Sequence, residues 1–347
     1  MYLLSIDLWL ILEKALLIGG IIGLSFFIAM YTTYAERKVA GWLQDRHGPN
    51  RAGPFGIFQP LADGGKLFFK EEIIPSKFLF ILGPAMAMVT ALVASTVIPW
   101  AAPFVTKGGN VIPMQVADVD MGILLVFSIV SVGVYGIMIG GWASNNKFSL
   151  IAAIRGASQM ISYELPMGMA LIAVLFMSGS LQMSEIVSVQ AQNGWNVIYQ
   201  PLGFIIFFIC ALAECNRTPF DLPEAENELN FGYHQEYSSM KLGFYLFAEY
   251  INMFISAAIM STVFLGGYDI PFVNEASWGL SSFWMTFISF GVLMSKIFFF
   301  LFVFIWIRWT IPRFRFDQLM DLGWKKLIPL ALINMIITAA VMLWLNK

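Results

Sequence analysis

The sequence is poor in charged residues. Of its 347 residues 12% are charged, whereas soluble domains carry about 25%, and 59% are hydrophobic. A globular protein of this size needs more polar surface than this to stay in water. The 20 basic and 22 acidic residues nearly cancel, so the chain also lacks the basic surface of a nucleic-acid binder. These scarcities exclude a soluble enzyme and indicate that lipid is the main solvent.

Cysteine and histidine are scarce as well. The two cysteines, Cys210 and Cys215, are too few for a disulfide scaffold or a cysteine-ligated iron–sulfur cluster, and we expect them to be free structural thiols. The two histidines, His47 and His234, lie outside the apolar runs, which excludes paired haem ligation within a bundle. No glycine-rich phosphate motif is present. We expect no metal and no prosthetic group on this chain.

Long apolar runs dominate what the sequence does contain. A membrane-spanning helix needs about 20 largely apolar residues, and uncharged runs such as 78–106 are too long for the strands of a transmembrane barrel. We predict an all-α polytopic membrane protein with one integral membrane domain over residues 1–347. Its eight expected spans are 12–34, 78–101, 121–141, 160–183, 200–213 (extended back towards Trp195), 242–267, 282–307 and 326–345.

The basic residues predict the orientation of these spans. Sixteen of the 20 lie in the loops after spans one, three, five and seven. Because basic loops stay in the cytoplasm, we expect these loops to be cytoplasmic and both termini to be periplasmic, in a bacterial inner membrane.

The first basic loop contains an amphipathic segment at residues 55–75. It predicts a helix lying in the membrane interface, kinked at Asp63-Gly64-Gly65. Two interpretations stay open, a surface anchor or the rim of a lipid-facing cavity. The apolar face would consist of Phe55, Phe58, Leu61, Phe68, Phe69 and Ile73.

Three carboxylates fall within or at the ends of apolar spans. They are Glu164, Glu214 and Glu249, and Lys296 lies midway along the seventh span. Ionisable groups at membrane depth are costly and mark functional sites. Contacts between helices are the ordinary alternative. Three carboxylates near one side of the membrane exceed what helix packing needs, which favours a proton path.

The loop after the fifth span is rich in acidic residues. Asp221, Glu224 and Glu228 have the i, i+3, i+7 spacing of one helical face, with Glu226 on the flank, and Arg217 is the nearest base in sequence. Carboxylates packed together share protons. A solvated acidic loop is the alternative, but the neighbouring intramembrane carboxylates favour a relay.

Several motifs together resemble one family. They occupy residues 36–38, 44–51, 56–71, 141–147, 159–164, 219–232 and 248–250, and include the runs QDRHGPNR, GIFQPLADGGK and PFDLPEAENEL. This set is similar to the quinone-site membrane subunit of respiratory complex I, which forms one subunit family of NADH:quinone oxidoreductase. The last hundred residues agree only in length and span count.

The resemblance implies a function that composition does not show. Such a subunit forms much of the quinone chamber at the junction with the hydrophilic arm, and an acidic relay towards antiporter-like subunits. It is not catalytic alone. The implied chamber residues are Glu36, Arg37, Asp63, Lys66, Arg217 and Phe220. The implied relay residues are Glu164, Glu214, Asp221, Glu224, Glu226, Glu228 and Glu249.

The resemblance also implies cofactors and partners. Ubiquinone or menaquinone would be the bound substrate, with flavin and iron–sulfur clusters on partner subunits. Those partners would be the hydrophilic quinone-module and iron–sulfur subunits, small membrane subunits, antiporter-like subunits and lipid, with no nucleic acid. Some relatives carry a further carboxylate in the third span, which is missing here. Two interpretations stay open: the number of protons carried by the route differs, or a water or a hydroxyl such as Ser131 or Tyr135 replaces the carboxylate. Lys296 has no implied role. The alternatives are the membrane anchor of a related hydrogenase and a free-standing proton- or sodium-coupled transporter.

Overall fold

The computed structural model describes residues 8–72, 74, 77–106, 111–270 and 281–345, without the side chains of residues 8–10, 77, 226 and 227. Within this part, seven helices are long and apolar enough to cross a membrane. This confirms the all-α polytopic fold. Ile73, which the predicted apolar face of the amphipathic segment includes, lies outside the described residues.

The helices follow the predicted order. They are α1 (Leu8–Leu43), α2 (Gln59–Phe68), α3 (Lys77–Ala94), α4 (Gly122–Ala143), α5 (Lys147–Ser178), α6 (Met183–Asn193), α7 (Asn196–Tyr199), α8 (Pro201–Glu214), α9 (Glu226–Leu229), α10 (Ser239–Phe264), α11 (Ser282–Thr310), α12 (Phe316–Asp321) and α13 (Ile328–Leu345). A π-helical turn, Leu322–Leu327, joins α12 to α13. Two short strands, β1 (Phe104–Val105) and β2 (Val111–Ile112), pair antiparallel.

Two helices organise the bundle. Helix α10 packs against α1, α3 and α11, and helix α5 packs against α4, α8 and α13. The loops after α1, α4, α8 and α11 lie at one end of the bundle, which we call the basic end because these loops hold most of the basic residues. Glu164 and Glu249 lie on these two helices, Glu214 ends α8, and further carboxylates lie in the loop between α8 and α10.

Helix α5 begins 13 residues earlier than predicted. We expected the fourth span to start at Met160 because Lys147 and Arg155 interrupt the apolar pattern. Instead, the Asn146 side chain accepts a hydrogen bond from the Phe148 amide and caps the helix at Lys147, and Arg155 forms an ion pair with Glu228. A paired cation near a helix end is tolerated. Glu164 consequently lies well inside the helix.

The fifth span is short and broken. The predicted extension towards Trp195 is a separate turn, α7, and the chain restarts as a helix at Pro201. The 14 residues of α8 are about 21 Å long at 1.5 Å per residue, less than the hydrocarbon thickness of about 30 Å. The loop after α8 is held against α5, since Gln159 of α5 donates hydrogen bonds to the Ala213 carbonyl near the end of α8 and the Phe220 carbonyl of the loop, both at 2.7 Å. Irregular backbone is tolerated at membrane depth when it is buried in protein.

Helix α2 is the predicted interfacial helix, with two corrections. It is shorter than expected and runs without interruption through Gly64 and Gly65, so the predicted kink is wrong. Its Leu67 side chain lies against Gly243 of α10, and Phe68 and the following Phe69 are 69% and 94% exposed. Large exposed aromatic side chains beside a bundle of spanning helices fit a lipid-facing surface.

Lys296 has a structural partner set that the sequence did not reveal. Its Nζ atom donates hydrogen bonds to the Leu265, Gly267 and Asp269 carbonyls, each at 2.7 Å. These carbonyls lie at the end of α10, where the last C=O groups of a helix lack partners within it. A lysine ammonium carries three donors and no acceptor. Lys296 therefore caps α10 from α11 and joins the two helices.

Replacing Lys296 with Met should destabilise the bundle. Three carbonyls would lose their donor, and each unsatisfied buried group costs about 1–3 kcal/mol. We expect a lower midpoint temperature of unfolding in detergent, followed by the exposure of the buried thiols of Cys210 and Cys215. Lys325→Met is the control because the Lys325–Asp321 pair is exposed, with 72% and 58% of the side chains accessible, and such pairs contribute little. Equal midpoints for the two variants would contradict the capping role.

Candidate functional site

An ionic network lies at the basic end of α1, α10 and α11. Glu36 of α1 contacts Arg308 of α11 at 2.5 Å and Arg217 of the loop after α8 at 3.7 Å. Arg217 also lies 3.5 Å from Glu249 of α10, and the Tyr250 hydroxyl donates to Glu36 at 2.8 Å. Two carboxylates and two guanidinium groups from four segments therefore form one continuous network.

Arg217 is the centre of this network. It is 5% exposed, and its guanidinium lies 4.2 Å from the centroid of the Tyr250 ring, within the range of a cation–π contact. Burial alone would lower the pKa of Arg217, but Tyr250 and the Glu36 and Glu249 carboxylates raise it well above its ordinary value. Arg217 is therefore a fixed positive charge that compensates two buried carboxylates.

Two arginines of the site come from the last third of the chain. Arg308 contacts Glu36, and Arg313 contacts Asp221 at 2.8 Å. In the sequence they served only to orient the seventh span. Two signals were available in the sequence. Both arginines follow closely after a long apolar run, and the acidic loop contains more carboxylates than nearby bases can compensate. The pairing itself joins residues 92 positions apart in the case of Asp221, which no local pattern reveals.

The acidic loop does not form one helical face, so that prediction is wrong. Residues 221–225 are not helical, and α9 begins only at Glu226. The three carboxylates point to three different bases: Asp221 to Arg313, Glu224 to His234 and Glu228 to Arg155. The side chain of Glu226 lies outside the described part.

The fold holds the acidic loop against the bundle by close backbone contacts. A Cβ atom on Gly232 would lie 1.8 Å from the Pro223 carbonyl oxygen, and the Gly232 backbone has a positive φ of 63°, a conformation that favours glycine. The Ser149 hydroxyl of α5 donates to the Gly232 carbonyl at 3.2 Å. The loop is thus folded into the protein, and the alternative of a solvated acidic loop is wrong for its buried residues, Asp221 among them.

Two neighbouring carboxyl groups in this loop have opposite electrostatic environments. Burial, together with the charge of Glu224, raises the pKa of Asp221 to about 7, although Arg313 and Arg308 oppose the change. Burial would also raise the pKa of Glu224, but His234 and Arg217 lower it well below its ordinary value. Asp221 therefore changes protonation near neutral pH while Glu224 carries a negative charge.

Glu214 lies between two small internal cavities. One, of about 30 Å³, is lined by Glu214, Glu249 and Tyr233 among others, and the second, of about 20 Å³, by Glu214, Asn252 and Ser256 among others. A cavity holds one water when it offers roughly 10–15 Å³ or more and several polar partners. A single water molecule in the first cavity would connect Glu249 with Glu214.

Glu164 has a hydroxyl partner on the third span. The Ser131 hydroxyl of α4 donates a hydrogen bond to its carboxylate, whereas the Tyr135 side chain is 57% exposed. Of the two hydroxyls considered as replacements for the missing carboxylate of α4, Ser131 is the one in contact with Glu164.

The implied chamber residues fall into separate places. Arg37 and Asp63 form an exposed ion pair at 2.6 Å that joins α1 to α2, and Lys66 is exposed on α2. Phe220 is 3% exposed and packs between Tyr163 and Phe314. Its place on a chamber wall stays a prediction, while its packing role is plain.

One set of side chains in the described residues has the spacing of metal ligands. The ligand atoms of Glu224, His234 and Glu249 lie within 4.8 Å of one another. The Arg217 guanidinium is already 3.5 Å from Glu249, and its positive charge would repel a metal ion. We therefore interpret this set as groups that share protons.

Comparison with known proteins places this architecture in a family. A family profile described as NADH dehydrogenase matches residues 16–339. The chain belongs to this family. It is 59% identical over 336 residues to an H subunit of NADH-quinone oxidoreductase from Cytophaga hutchinsonii, covering 96% of this chain and 97% of that protein.

Further relatives agree. The NADH-quinone oxidoreductase H subunit of Flavobacterium johnsoniae is 56% identical, with 96% of both chains covered. An H subunit from Geobacter metallireducens is 46% identical, with 93% of this chain and 95% of that protein covered. Each relative is one subunit of a larger oxidoreductase, so the family identity is that of a subunit and not of a complete enzyme. The similarity extends to the last hundred residues, where sequence motifs were lacking.

Replacing Asp221 with Asn should change how stability depends on pH. Because the pKa of Asp221 is raised to about 7, the folded state holds a proton that the unfolded chain has released, and the wild type loses stability as pH rises towards 7. The neutral Asn side chain binds no proton in this range, so it adds no such loss of stability. The stability of the variant relative to the wild type should therefore increase between pH 5 and pH 7, by at most about 1.4 kcal/mol per pH unit, and stay constant above pH 8. The same thiol-exposure assay measures this, and a difference independent of pH would contradict the assignment.

Proposed function

We propose that the chain is the membrane subunit of a proton-translocating NADH:quinone oxidoreductase, respiratory complex I. It forms much of the quinone chamber at the junction with the hydrophilic arm, and it carries an acidic relay from there towards antiporter-like subunits. The observation that carries this proposal is the buried network of Glu36, Arg217, Glu249 and Arg308, which continues through a water-sized cavity to Glu214.

The region between α1 and α2 suits a quinone, a ligand with a polar head and an apolar tail. The Arg37–Asp63 pair joins these helices, and the Tyr34 hydroxyl donates to the Phe55 carbonyl at 2.7 Å. The outer side of α2 exposes apolar side chains such as Phe68 and Leu61, along which a tail could pass from lipid. Ubiquinone and menaquinone both have this chemistry. Flavin and iron–sulfur clusters would reside on partner subunits.

The relay connects this region with the interior of the bundle. Reduction of a quinone to a quinol requires two protons, and buried carboxylates near basic groups can supply them. From the ionic network inward, the proposed relay groups are Glu249, Glu214 and Glu164. Glu249 and Glu214 line one cavity, and Ser131 contacts Glu164. Asp221, Glu224 and Glu228 would connect the relay with the basic end. Arg217 and Arg308 would limit the repulsion among the carboxylates.

The two alternative functions lack support of this kind. A free-standing proton or sodium transporter and a hydrogenase anchor would both accommodate buried carboxylates. The relatives described above, from three bacteria, are all named as the H subunit of NADH-quinone oxidoreductase. The proposed location is a bacterial inner membrane, with the basic loops cytoplasmic and both termini periplasmic. The proposed partners are the hydrophilic quinone-module and iron–sulfur subunits, the small membrane subunits and the antiporter-like subunits.

Replacing Glu249 or Glu214 with Gln should impair quinone reduction and proton pumping while leaving electron input from NADH intact. We expect NADH oxidation by quinone, and the proton pumping linked to it, to fall about tenfold, a barrier increase of about 1.4 kcal/mol. NADH:ferricyanide activity in membranes should stay unchanged because it needs only assembled partner subunits. Glu185→Gln is the matched control, since Glu185 is exposed in the first turn of α6. A loss of ferricyanide activity in E249Q or E214Q would show that these carboxylates support assembly instead.

A photoreactive quinone should label the proposed chamber. In the assembled complex we expect covalent labelling of peptides from residues 36–71 or 217–228, and excess unlabelled quinone should prevent it. Mass spectrometry of the digested subunit identifies the labelled peptides. Labelling confined to α13 or to residues 282–300 would place the chamber elsewhere.

A further inference from the structure

His234 is a buried histidine without a satisfied ring nitrogen. Its exposure is 0%, and neither Nδ1 nor Nε2 has a hydrogen-bond partner. Buried polar groups are normally paired, and an unpaired one calls for an explanation. His234 ends the short turn 232–234 that leads from the acidic loop towards α10.

The two ring nitrogens face two different carboxylates. Nδ1 lies 3.3 Å from Glu224 of the acidic loop, and Nε2 lies 4.0 Å from Glu249 of α10. Hydrogen bonds from nitrogen to oxygen are about 2.7–3.2 Å long, so both gaps exceed this range, the second by about 1 Å. A small movement of either side chain would therefore make one bond and leave the other broken.

The remaining surroundings of His234 are aromatic, with one cation nearby. The rings of Tyr233, Tyr245 and Phe231 pack against the imidazole with centroids 3.9, 5.4 and 5.6 Å away. The Tyr233 hydroxyl donates to Glu249 at 2.8 Å, and Arg217 lies 3.5 Å from Glu249. These groups and Glu224 are the titratable and charged groups around the ring. Two carboxylates and one guanidinium therefore lie in the immediate surroundings of the ring.

We propose that His234 is a reversible proton store between Glu224 and Glu249, and that the relay at this point consists of three groups. The ring takes a proton on Nε2 from Glu249, which leaves a carboxylate and an imidazolium whose Nδ1–H faces Glu224. Return of the proton to Glu249 restores the neutral ring, so one proton moves and no other bond changes. The inference rests on the proposed relay and goes beyond it by adding a group that is not a carboxylate.

The packing of the ring determines the type of step. Passing a proton through the ring, in at one nitrogen and out at the other, leaves the opposite tautomer, which must be reset by ring rotation. The Tyr233 ring, with its centroid 3.9 Å away, opposes rotation. Storage and return through one nitrogen therefore fit the structure better than continuous conduction.

Substitution of His234 in the assembled complex tests this inference. Gln is polar and offers both a hydrogen-bond donor and an acceptor, but it cannot hold an added proton near neutral pH. We expect H234Q to retain NADH:ferricyanide activity and to lose about tenfold in quinone-linked proton pumping, equal to about 1.4 kcal/mol in barrier. Redox-induced infrared difference spectra with ¹⁵N-labelled histidine should show an imidazolium band in the wild type that is missing in H234Q. E185Q is the control for pumping because Glu185 is exposed in the first turn of α6 and belongs to neither the proposed chamber nor the relay.

The outcomes separate this inference from the proposed function. If E249Q impairs pumping while H234Q pumps normally or keeps the imidazolium band, the inference is wrong and the carboxylate relay stands. If E249Q also pumps normally, the relay itself is wrong. If H234Q does not assemble, H234N gives the same comparison, and failure of both to assemble would show that His234 has a structural role and overturn the inference.

Discussion

The compensation of charge inside a low-dielectric bundle is the constraint on which this structure depends. Removing one partner of a buried ion pair costs about 3–5 kcal/mol because it leaves an uncompensated charge. Arg217 satisfies this constraint for Glu36 and Glu249 together, and Arg308 adds a second cation at Glu36. The helices α1, α10 and α11 must therefore bring these groups to the same depth for them to meet.

The shortness of helix α8 follows from the same need to compensate buried charges. If α8 continued to the membrane surface as a full span, Arg217 would lie at its end and away from Glu249. Because α8 ends at Glu214, the loop after it packs against the bundle, where Gln159 donates to the Ala213 carbonyl at the end of α8 and to the Phe220 carbonyl of the loop. The loop brings Arg217, Asp221 and Glu224 into the protein. An apolar run that is too short to cross the membrane thus marks the place where polar groups are buried inside the bundle.

The sequence predicted the spans well and the partners of the charged residues poorly. Apolar runs located the helices because spanning length is a strong constraint, and Glu214, Glu249 and Arg217 were recognised because charge is rare there. The start of α5 was placed wrongly at Met160, since the ion pair of Arg155 with Glu228 depends on tertiary contacts. For the same reason the helical spacing of Asp221, Glu224 and Glu228 was misleading: the segment packs as a loop, and its three bases come from α5, the 232–234 turn and the region after α11.

If a quinone binds beside Glu36 as proposed, the ionic network offers a route by which a change of charge there would affect groups further inside the bundle. Glu36 shares Arg217 with Glu249, so a charge that appears near Glu36 changes how much of the Arg217 charge is available to Glu249. Coulomb interactions at these separations are several kcal/mol when the effective dielectric constant is about 20, and they act without any large movement of helices. Glu249 in turn faces His234 and the cavity that reaches Glu214. A proton shifted at Glu249 is therefore the smallest response that would carry a change of charge from the chamber towards Glu214.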